Sequence, residues 1–381
     1  MTDHDLPEGT LPKDTFAFII HPIDPKKDVS RKWPWLGKLL TRRQVDFLSL
    51  FFPPVYISEI TGIQSQATGK LLRGWFLACP FTPHRMMTLP ERTVYNKIIA
   101  TGRKAEKLGA RILGLGAYTS VVGDAGITIS RALDVPVTTG DAYTIEMAVR
   151  AVREAAAQMG ITMGEARAAV VGATGTIGSV CAELLAEEVG DLTLIGRRAD
   201  ALESVRERCK RDSRALLHTS TDLTGCYEAD LVLTVTSAIS AIIETQHIKP
   251  GAVVCDVARP RDVSKQVAMH RDDVLVIEGG MVEVPGPVDF HFDFGFPPRH
   301  AYACMAETMA LALEGRYENY SLGKQITREE VRTISAICDR HGFKLGPFRS
   351  YERGPVTPEH IARVRELAAR NRSRWSPGGA V

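Results

Sequence analysis

The chain is short of every feature that would announce a partner at once. Its 47 lysines and arginines nearly balance 45 aspartates and glutamates, giving a net charge of +2, so no global field argues for nucleic acid. No apolar run reaches the roughly 18 residues that a membrane-spanning helix needs. The opening stretch from Met1 to Glu8 is polar and acidic, unlike a secretory leader, and a cytoplasmic chain is expected. Seven cysteines are scattered without a C-x-x-C pair. They read as reduced thiols that mostly fill the core, not as a disulfide framework or a metal site. No internal repeat is present.

What the chain does have is a glycine turn between a strand and a helix. Ala168 to Val171 reads as a short buried strand. Gly172, Gly175 and Gly178 follow at G-x-x-G-x-x-G spacing, and Val180, Leu184 and Leu185 continue with a helical pattern. In this setting Gly172 permits the tight turn, Gly175 lets backbone approach a pyrophosphate, and Gly178 lets helix and strand pack closely. Thr174, Thr176 and Ile177 complete the loop. The helix N-terminus presents unpaired N–H groups and the positive end of its dipole. Glycine turns of this kind are common, so the strands that follow carry weight: Leu192–Ile195, Ala215–His218, Leu231–Val235, Val253–Val257 and Val274–Ile277, with helices between them. Six short strands in that alternation predict a doubly wound parallel sheet of the Rossmann type.

The second strand bears on the nucleotide. An NAD site usually ends it with Asp or Glu, which binds the ribose 2′-hydroxyl. Here it ends Ile195-Gly196-Arg197-Arg198. Two guanidiniums and no carboxylate suit a 2′-phosphate and point to NADPH, against the plainer reading of a solvated charge pair. Thr236 and Ser237, and Gly279 to Met281 with Gly280 between, close carboxyl ends of the sheet, where such folds line the cofactor crevice.

Around this domain the sequence divides into an arm over 1–14, expected to be disordered, and an N-terminal α/β substrate domain over 15–158. The nucleotide domain over 159–290, C-terminal helices over 291–345 and a basic tail over 346–381 follow. In the substrate domain Phe16 to Ile20 reads as a strand, Glu59 to Phe76 as a strand pair, Glu91 to Leu108 as an amphipathic helix, and Asp141 as the N-cap of a helix over 142–158. Residues 26–57 are basic and then strongly apolar, broken by Pro53 and Pro54. That pattern suits a buried helix and strand, a greasy entrance for an apolar substrate, or a membrane-surface patch.

One cysteine stands out. Cys304 lies in a helical pattern expected to run from about 299 to 314. Near a helix start the dipole favours thiolate, and His300 four residues earlier would share its face. A Cys–His pair near a nicotinamide suits covalent catalysis followed by hydride delivery, although a cysteine between alanines is more often simply buried.

Several segments stand together in a recognisable order: Pro53-Pro54 through Glu59-Ile60-Thr61, Ala67 to Lys70, Leu115 to Ser120, Thr138 to Gly140, Val170 to Gly178, Glu278 to Glu283, and Ala303 to Glu307. Over roughly residues 16 to 345 the chain resembles the cyanobacterial long-chain acyl-(acyl carrier protein) reductases. The resemblance implies reduction of carrier-bound fatty acyl thioesters to fatty aldehydes with NADPH, through an acyl thioester on the cysteine matching Cys304. The family departs at His300, which is not a histidine there. The arm and the tail look like additions. Oxyanion donors could come from backbone near Gly280, from Thr119 and Ser120, or from His300, and Asp141 is a further candidate near substrate. Basic clusters at Lys26, Lys27, Arg31, Lys32, Lys38, Arg42 and Arg43, and at Arg363, Arg365, Arg370, Arg372 and Arg374, would suit an acidic carrier or serve as solvated faces.

Three other readings compete. An acyl-CoA reductase of the same fold is barely distinguished by sequence. A short-chain-dehydrogenase-like carbonyl reductase would use Tyr320 and Lys324, whose Tyr-x-x-x-Lys spacing is present, but Gly323 argues against the helix that chemistry needs. A non-catalytic NADPH-binding regulator would leave Cys304 inert.

Overall fold

The computed structural model describes residues 12–22, 34–116, 118–238, 241–259, 261–351 and 354–376. Most of the expected arm, and Lys26, Lys27, Arg31 and Lys32 of the basic stretch, lie outside the described residues. The chain forms two compact units. The first comprises 1–143, 283–325 and 333–344; the second comprises 144–282, 326–332 and 345–381.

The first unit is built on a five-stranded sheet of β1 (Asp14–Ile20), β2 (Val55–Gln64), β3 (Leu71–Ala78), β4 (Leu113–Leu115) and β5 (Val137–Thr138), in the order β2-β3-β1-β4-β5. Phe16 to Ile19 are buried on both faces, as a central parallel strand requires. β2 and β3 form the one antiparallel pair, joined through the 65–70 turn. Helix α1 (Glu91–Lys107) buries Val94, Ile98, Thr101 and Ala105 along one stripe, with Glu91 in its first turn and Lys104 and Lys107 in its last, the charge placement its dipole favours.

Helix α2 (Asp141–Met159) begins in this unit and carries the chain into the second, with Asp141 its first residue rather than its N-cap. Helix α5 (Ala303–Glu314) packs on β1, β3 and β4. It starts later than the 299 expected from sequence. Arg299 adopts φ +65° and its carbonyl accepts from the Val284 N–H at 2.8 Å. His300–Tyr302 is therefore a short strand.

The second unit holds six parallel strands: β6 (Arg167–Val171), β7 (Asp191–Ile195), β8 (Leu216–Ser220), β9 (Leu231–Thr234), β10 (Val253–Asp256) and β11 (Leu275–Glu278). Their order is β11-β10-β9-β6-β7-β8. The sheet grows one way from β6 through β8 and the other way from β9 through β11, so its direction reverses between β6 and β9, where such sheets open a ligand crevice. Helices α3 (Thr176–Ala186) and α4 (Ala199–Cys209) follow β6 and β7. The basic tail is part of this unit. Helix α7 (Pro358–Asn371) buries Ile361, Val364 and Ala368, and its Arg363 pairs with Asp272 at 3.1 Å. Helix α6 (Arg328–His341) lies between α5 and α7 in the chain. Among the described residues, no helix is long and apolar enough to cross a membrane.

Candidate active site

Two sites can be described, one within each unit. The first is at the reversal in the six-stranded sheet. Gly172, directly after β6, has φ +86°, and a Cβ there would stand 2.7 Å from the Val235 carbonyl after β9. A Cβ on Gly178 would stand 2.2 Å from the Gly172 carbonyl oxygen. The turn is therefore drawn tightly against both its helix and the neighbouring strand, a fit only glycine allows. Gly175 N-caps α3 without any side-chain cap hydrogen bond, and Gly175 itself is exposed. The first α3 N–H groups, of Thr176, Ile177 and Gly178, precede the first intrahelical donor at Ser179, so they are the orphan donors of a helix start.

The loop after β9 is braced by a residue that sequence reasoning passed over. Asp262, fully buried, accepts from the Thr234 hydroxyl at 2.6 Å, the Thr236 N–H at 2.8 Å and the Thr236 hydroxyl at 2.5 Å. Thr236 is thus committed through its side chain, while Ser237 is exposed. Arg197 and Arg198 follow β7, both exposed, and Arg198 is the N-cap residue of α4. No ion pair engages either among the described residues. An uncapped helix start and two available guanidiniums are what a dinucleotide with a phosphorylated ribose would need. Gly280 and Met281 are buried after β11, Gly280 at φ +86°.

The second site is Cys304. Of seven cysteines, six are buried and Cys304 alone is half-buried. Every other residue from Ala303 to Leu313 is buried. Gly140, at φ +79°, lies flat against it: a Cβ on Gly140 would be 2.2 Å from the Cys304 Cβ. The start of α2 is thereby held at the start of α5, with Asp141 next in line.

Glu307, one turn beyond Cys304 and fully buried, ties this arrangement together. It accepts from the Thr138 hydroxyl, from the Ser321 hydroxyl at 2.7 Å and from the Tyr143 N–H at 2.8 Å. Burial nonetheless raises its pKa above the ordinary carboxyl range.

The protonation pattern differs from the sequence expectation. Scarcity of water, then the charges of Asp141 and Glu307, push the Cys304 thiol up to about 12. These effects outweigh the helix dipole that was expected to favour thiolate. Asp141 is raised to about 8, first by desolvation and then by Glu307. Both side chains keep some accessible surface, so the cause is sparse hydration around the charge and not a sealed cavity.

His300, placed on a strand, does not share a helix face with Cys304. Its Nδ1 lies 2.8 Å from the Pro298 carbonyl oxygen. A carbonyl only accepts, so Nδ1 carries the proton and Nε2 of the neutral ring is an acceptor. Thr119 donates to the Gly116 carbonyl at 2.8 Å, which commits its hydroxyl proton to the local turn. Ser120 is buried. Tyr320 to Lys324 is not helical: Ser321 has φ +52° and Gly323 φ +81°, so Tyr320 and Lys324 are not one helical turn apart. Glu307 had one sequence signal, a lone charge inside an apolar helix three residues from Cys304. Asp262 had none beyond its sheet-edge position.

The model of the family described as Shikimate / quinate 5-dehydrogenase matches residues 153–278. Aminotransferase PigE of Serratia is 28% identical over 290 residues, 75% of this chain, which spans only 34% of that relative's length. Among solved structures, L-tryptophan dehydrogenase from Nostoc punctiforme aligns over 94% of this chain and 89% of its own, at TM-score 0.41 and 14% identity. The long-chain acyl-[acyl-carrier-protein] reductase of Synechococcus elongatus is 31% identical over 307 residues, 77% of this chain and 87% of that protein. With that identity over 87% of the relative, the chain belongs to the long-chain acyl-[acyl-carrier-protein] reductase family and is an oxidoreductase of the NAD(P)-dependent kind.

Proposed function

We propose that the protein reduces long-chain fatty acyl groups, delivered as thioesters on acyl carrier protein, to fatty aldehydes, through an acyl thioester on Cys304. One observation carries this reading. The one half-buried cysteine heads a buried helix against Gly140, and the next residue, Asp141, carries a carboxyl group whose pKa of about 8 suits proton exchange near neutrality.

In the first half-reaction Cys304 Sγ attacks the acyl carbon while the Asp141 carboxylate takes the thiol proton. The carrier's sulfur leaves as a thiolate and takes its proton from solvent, so Asp141 keeps the proton it received from Cys304. In the second half-reaction the bond between the acyl carbon and Sγ breaks as the aldehyde forms, and Cys304 recovers its proton from Asp141. The Gly172–Gly178 turn, the α3 N-terminus and Arg197 with Arg198 would hold NADPH, which when bound would supply the hydride that this reduction consumes. Glu307 acts as a positioning residue, fixing β5, the start of α2 and α5 around Cys304. His300 offers an acceptor nitrogen and not, while neutral, a donor to an oxyanion.

The test is intact mass spectrometry of the protein mixed with palmitoyl-carrier protein without NADPH, beside Cys304→Ala. A gain of one acyl group, absent in the variant and discharged as aldehyde on adding NADPH, is the expected result. No adduct and no aldehyde, from carrier or CoA thioesters, would rule the reading out. An adduct formed only from acyl-CoA would reassign the acyl donor.

A further inference from the structure

A surface of the first unit, outside the Cys304 site, combines apolar and basic groups in a pattern that a folded core does not need. Ten large hydrophobic side chains are exposed among the described residues, and four of them fall between Trp35 and Phe51. Trp35 is 60% exposed, Leu39 73%, Phe47 55% and Phe51 71%. They come in two i,i+4 pairs, so each pair lies on one face of its local turn. Trp35 and Leu39 belong to the helix Pro34–Leu39, whereas Phe47 lies on the helix Arg42–Leu48 and Phe51 just beyond it. The rings of Phe47 and Phe51 meet edge to face at 5.8 Å.

The backbone beneath the Phe47 and Phe51 half of this face is fixed. Thr41 caps the second helix through a reciprocal pair with Gln44. Val45 is buried in the unit. Asp46 is tied to Arg85 at 2.8 Å and to the Thr82 hydroxyl at 2.6 Å. Lys97 donates to the carbonyls of Leu50 and Phe52 at 3.1 and 2.9 Å. The stretch from Thr41 to Phe52, held this firmly while Phe47 and Phe51 stay exposed, is a presented surface and not a loosely packed one.

Charge selects the partner. The exposed charges on the face are Lys38 and Arg43, and the one acidic residue between Pro34 and Phe52 is Asp46, already paired with Arg85. An isologous contact with a second copy would bring these cations against themselves. Aromatic and aliphatic side chains standing among cations instead match the interface of an anionic bilayer, where rings sit at headgroup depth and cations meet lipid phosphates.

We propose that the face formed by Trp35, Leu39, Phe47 and Phe51 with Lys38 and Arg43 docks the protein reversibly on anionic lipid bilayers. This inference does not rest on the Cys304 chemistry. Docking there would let an apolar product leave toward lipid.

The experiment is co-sedimentation of the full chain with vesicles of phosphatidylcholine alone or of equimolar phosphatidylcholine and phosphatidylglycerol. The variants are Phe47→Glu/Phe51→Glu and Lys38→Glu/Arg43→Glu, with Leu216→Glu, an exposed site on β8 of the second unit, as control. Binding to the anionic vesicles, falling with salt, is expected for the parent chain and the control. Loss of about fivefold per unit of charge, counted as two units at each reversed side chain, is expected for the charge variant. The aromatic variant should fall to the level seen with phosphatidylcholine. All substituted side chains are exposed, so circular dichroism and thermal melting should match the parent. No vesicle binding, equal binding to both compositions, or undiminished binding of the aromatic variant would each overturn the proposal. So would a raised KM for acyl-carrier protein in both face variants without any vesicle binding, which would make the face a carrier dock.

Discussion

The two sites differ in what they are made from. In the second unit the proposed nucleotide surface is mostly backbone: a glycine turn, the uncapped start of α3, and the tight approach of Gly172 to Val235. In the first unit the Cys304 site is made of side chains from three stretches, Thr138 to Tyr143, Cys304 to Glu307, and Ser321, with Glu307 at their junction. A backbone site needs contiguous sequence with the right turn, so it is compact in the chain. A side-chain site needs the fold to bring distant residues together, and its protonation states follow from burial that no local pattern reveals.

The sharpest way to break this comparison uses a glycine in each site. Gly140→Ala puts a Cβ 2.2 Å from the Cys304 Cβ at φ +79°. Gly178→Ala puts one 2.2 Å from the Gly172 carbonyl oxygen. Displacing reacting groups by about 1 Å costs on the order of 100-fold. Gly140→Ala should therefore reduce Cys304 acylation to about 1% or less while leaving NADPH affinity intact. Gly178→Ala should do the reverse. Stopped-flow acylation and NADPH fluorescence titration read the two effects separately. Loss of both properties in either variant would mean that the two sites are not separable.

How much was legible follows the same division. The six parallel strands and the turn at Gly172 to Gly178 could be read because alternation of strand and helix and the glycine spacing are local signals. Cys304 stands out in the sequence through its family segment, but the protonation of its thiol does not. The dipole of α5 is visible from sequence, whereas the opposing carboxyls of Asp141 and Glu307 arrive from a turn 163 residues away and from the next turn of its own helix. The start of α5 was misplaced because a left-handed Arg299 and a strand at His300–Tyr302 are set by tertiary pairing. Asp262, which braces Thr234 and Thr236, was missed because a single aspartate in a loop carries no signature.

Asp141 offers an intermediate test, since it joins the Cys304 site to a titration. Its pKa in the folded protein, about 8, lies above the ordinary 3.8. Between those values the folded state holds a proton that the unfolded chain has lost. Folding stability contributed by this group is thus fully present below pH 4 and is lost as pH rises through about 8. Acylation should run the other way, rising as the carboxylate forms near pH 8. Asp141→Asn is expected to flatten both profiles and to slow acylation by on the order of a hundredfold, the low end for a general base. Thermal melts and single-turnover acylation across pH 6 to 9 measure them. A variant whose acylation keeps the parent's rise with pH would remove Asp141 from the chemistry and leave it a structural acid.

The smallest effect should belong to Arg197 and Arg198, because both are exposed and solvent screens what they contribute. Each guanidinium facing a 2′-phosphate at the surface is worth about 1 kcal/mol, close to a factor of five. Arg197→Ala and Arg198→Ala should each lower NADPH affinity by about that factor, and the double variant by about 25-fold if the two act independently. NADH affinity should change little, since it lacks the phosphate that the guanidiniums would face. Raising the salt concentration should compress the parent's preference toward that of the double variant. Equal loss for both nucleotides would instead place the arginines on the shared pyrophosphate or on folding of the turn after β7. No loss for either would leave them as the solvated N-terminal flank of α4, and discrimination would then rest on the backbone, the part of this site that glycine already dictates.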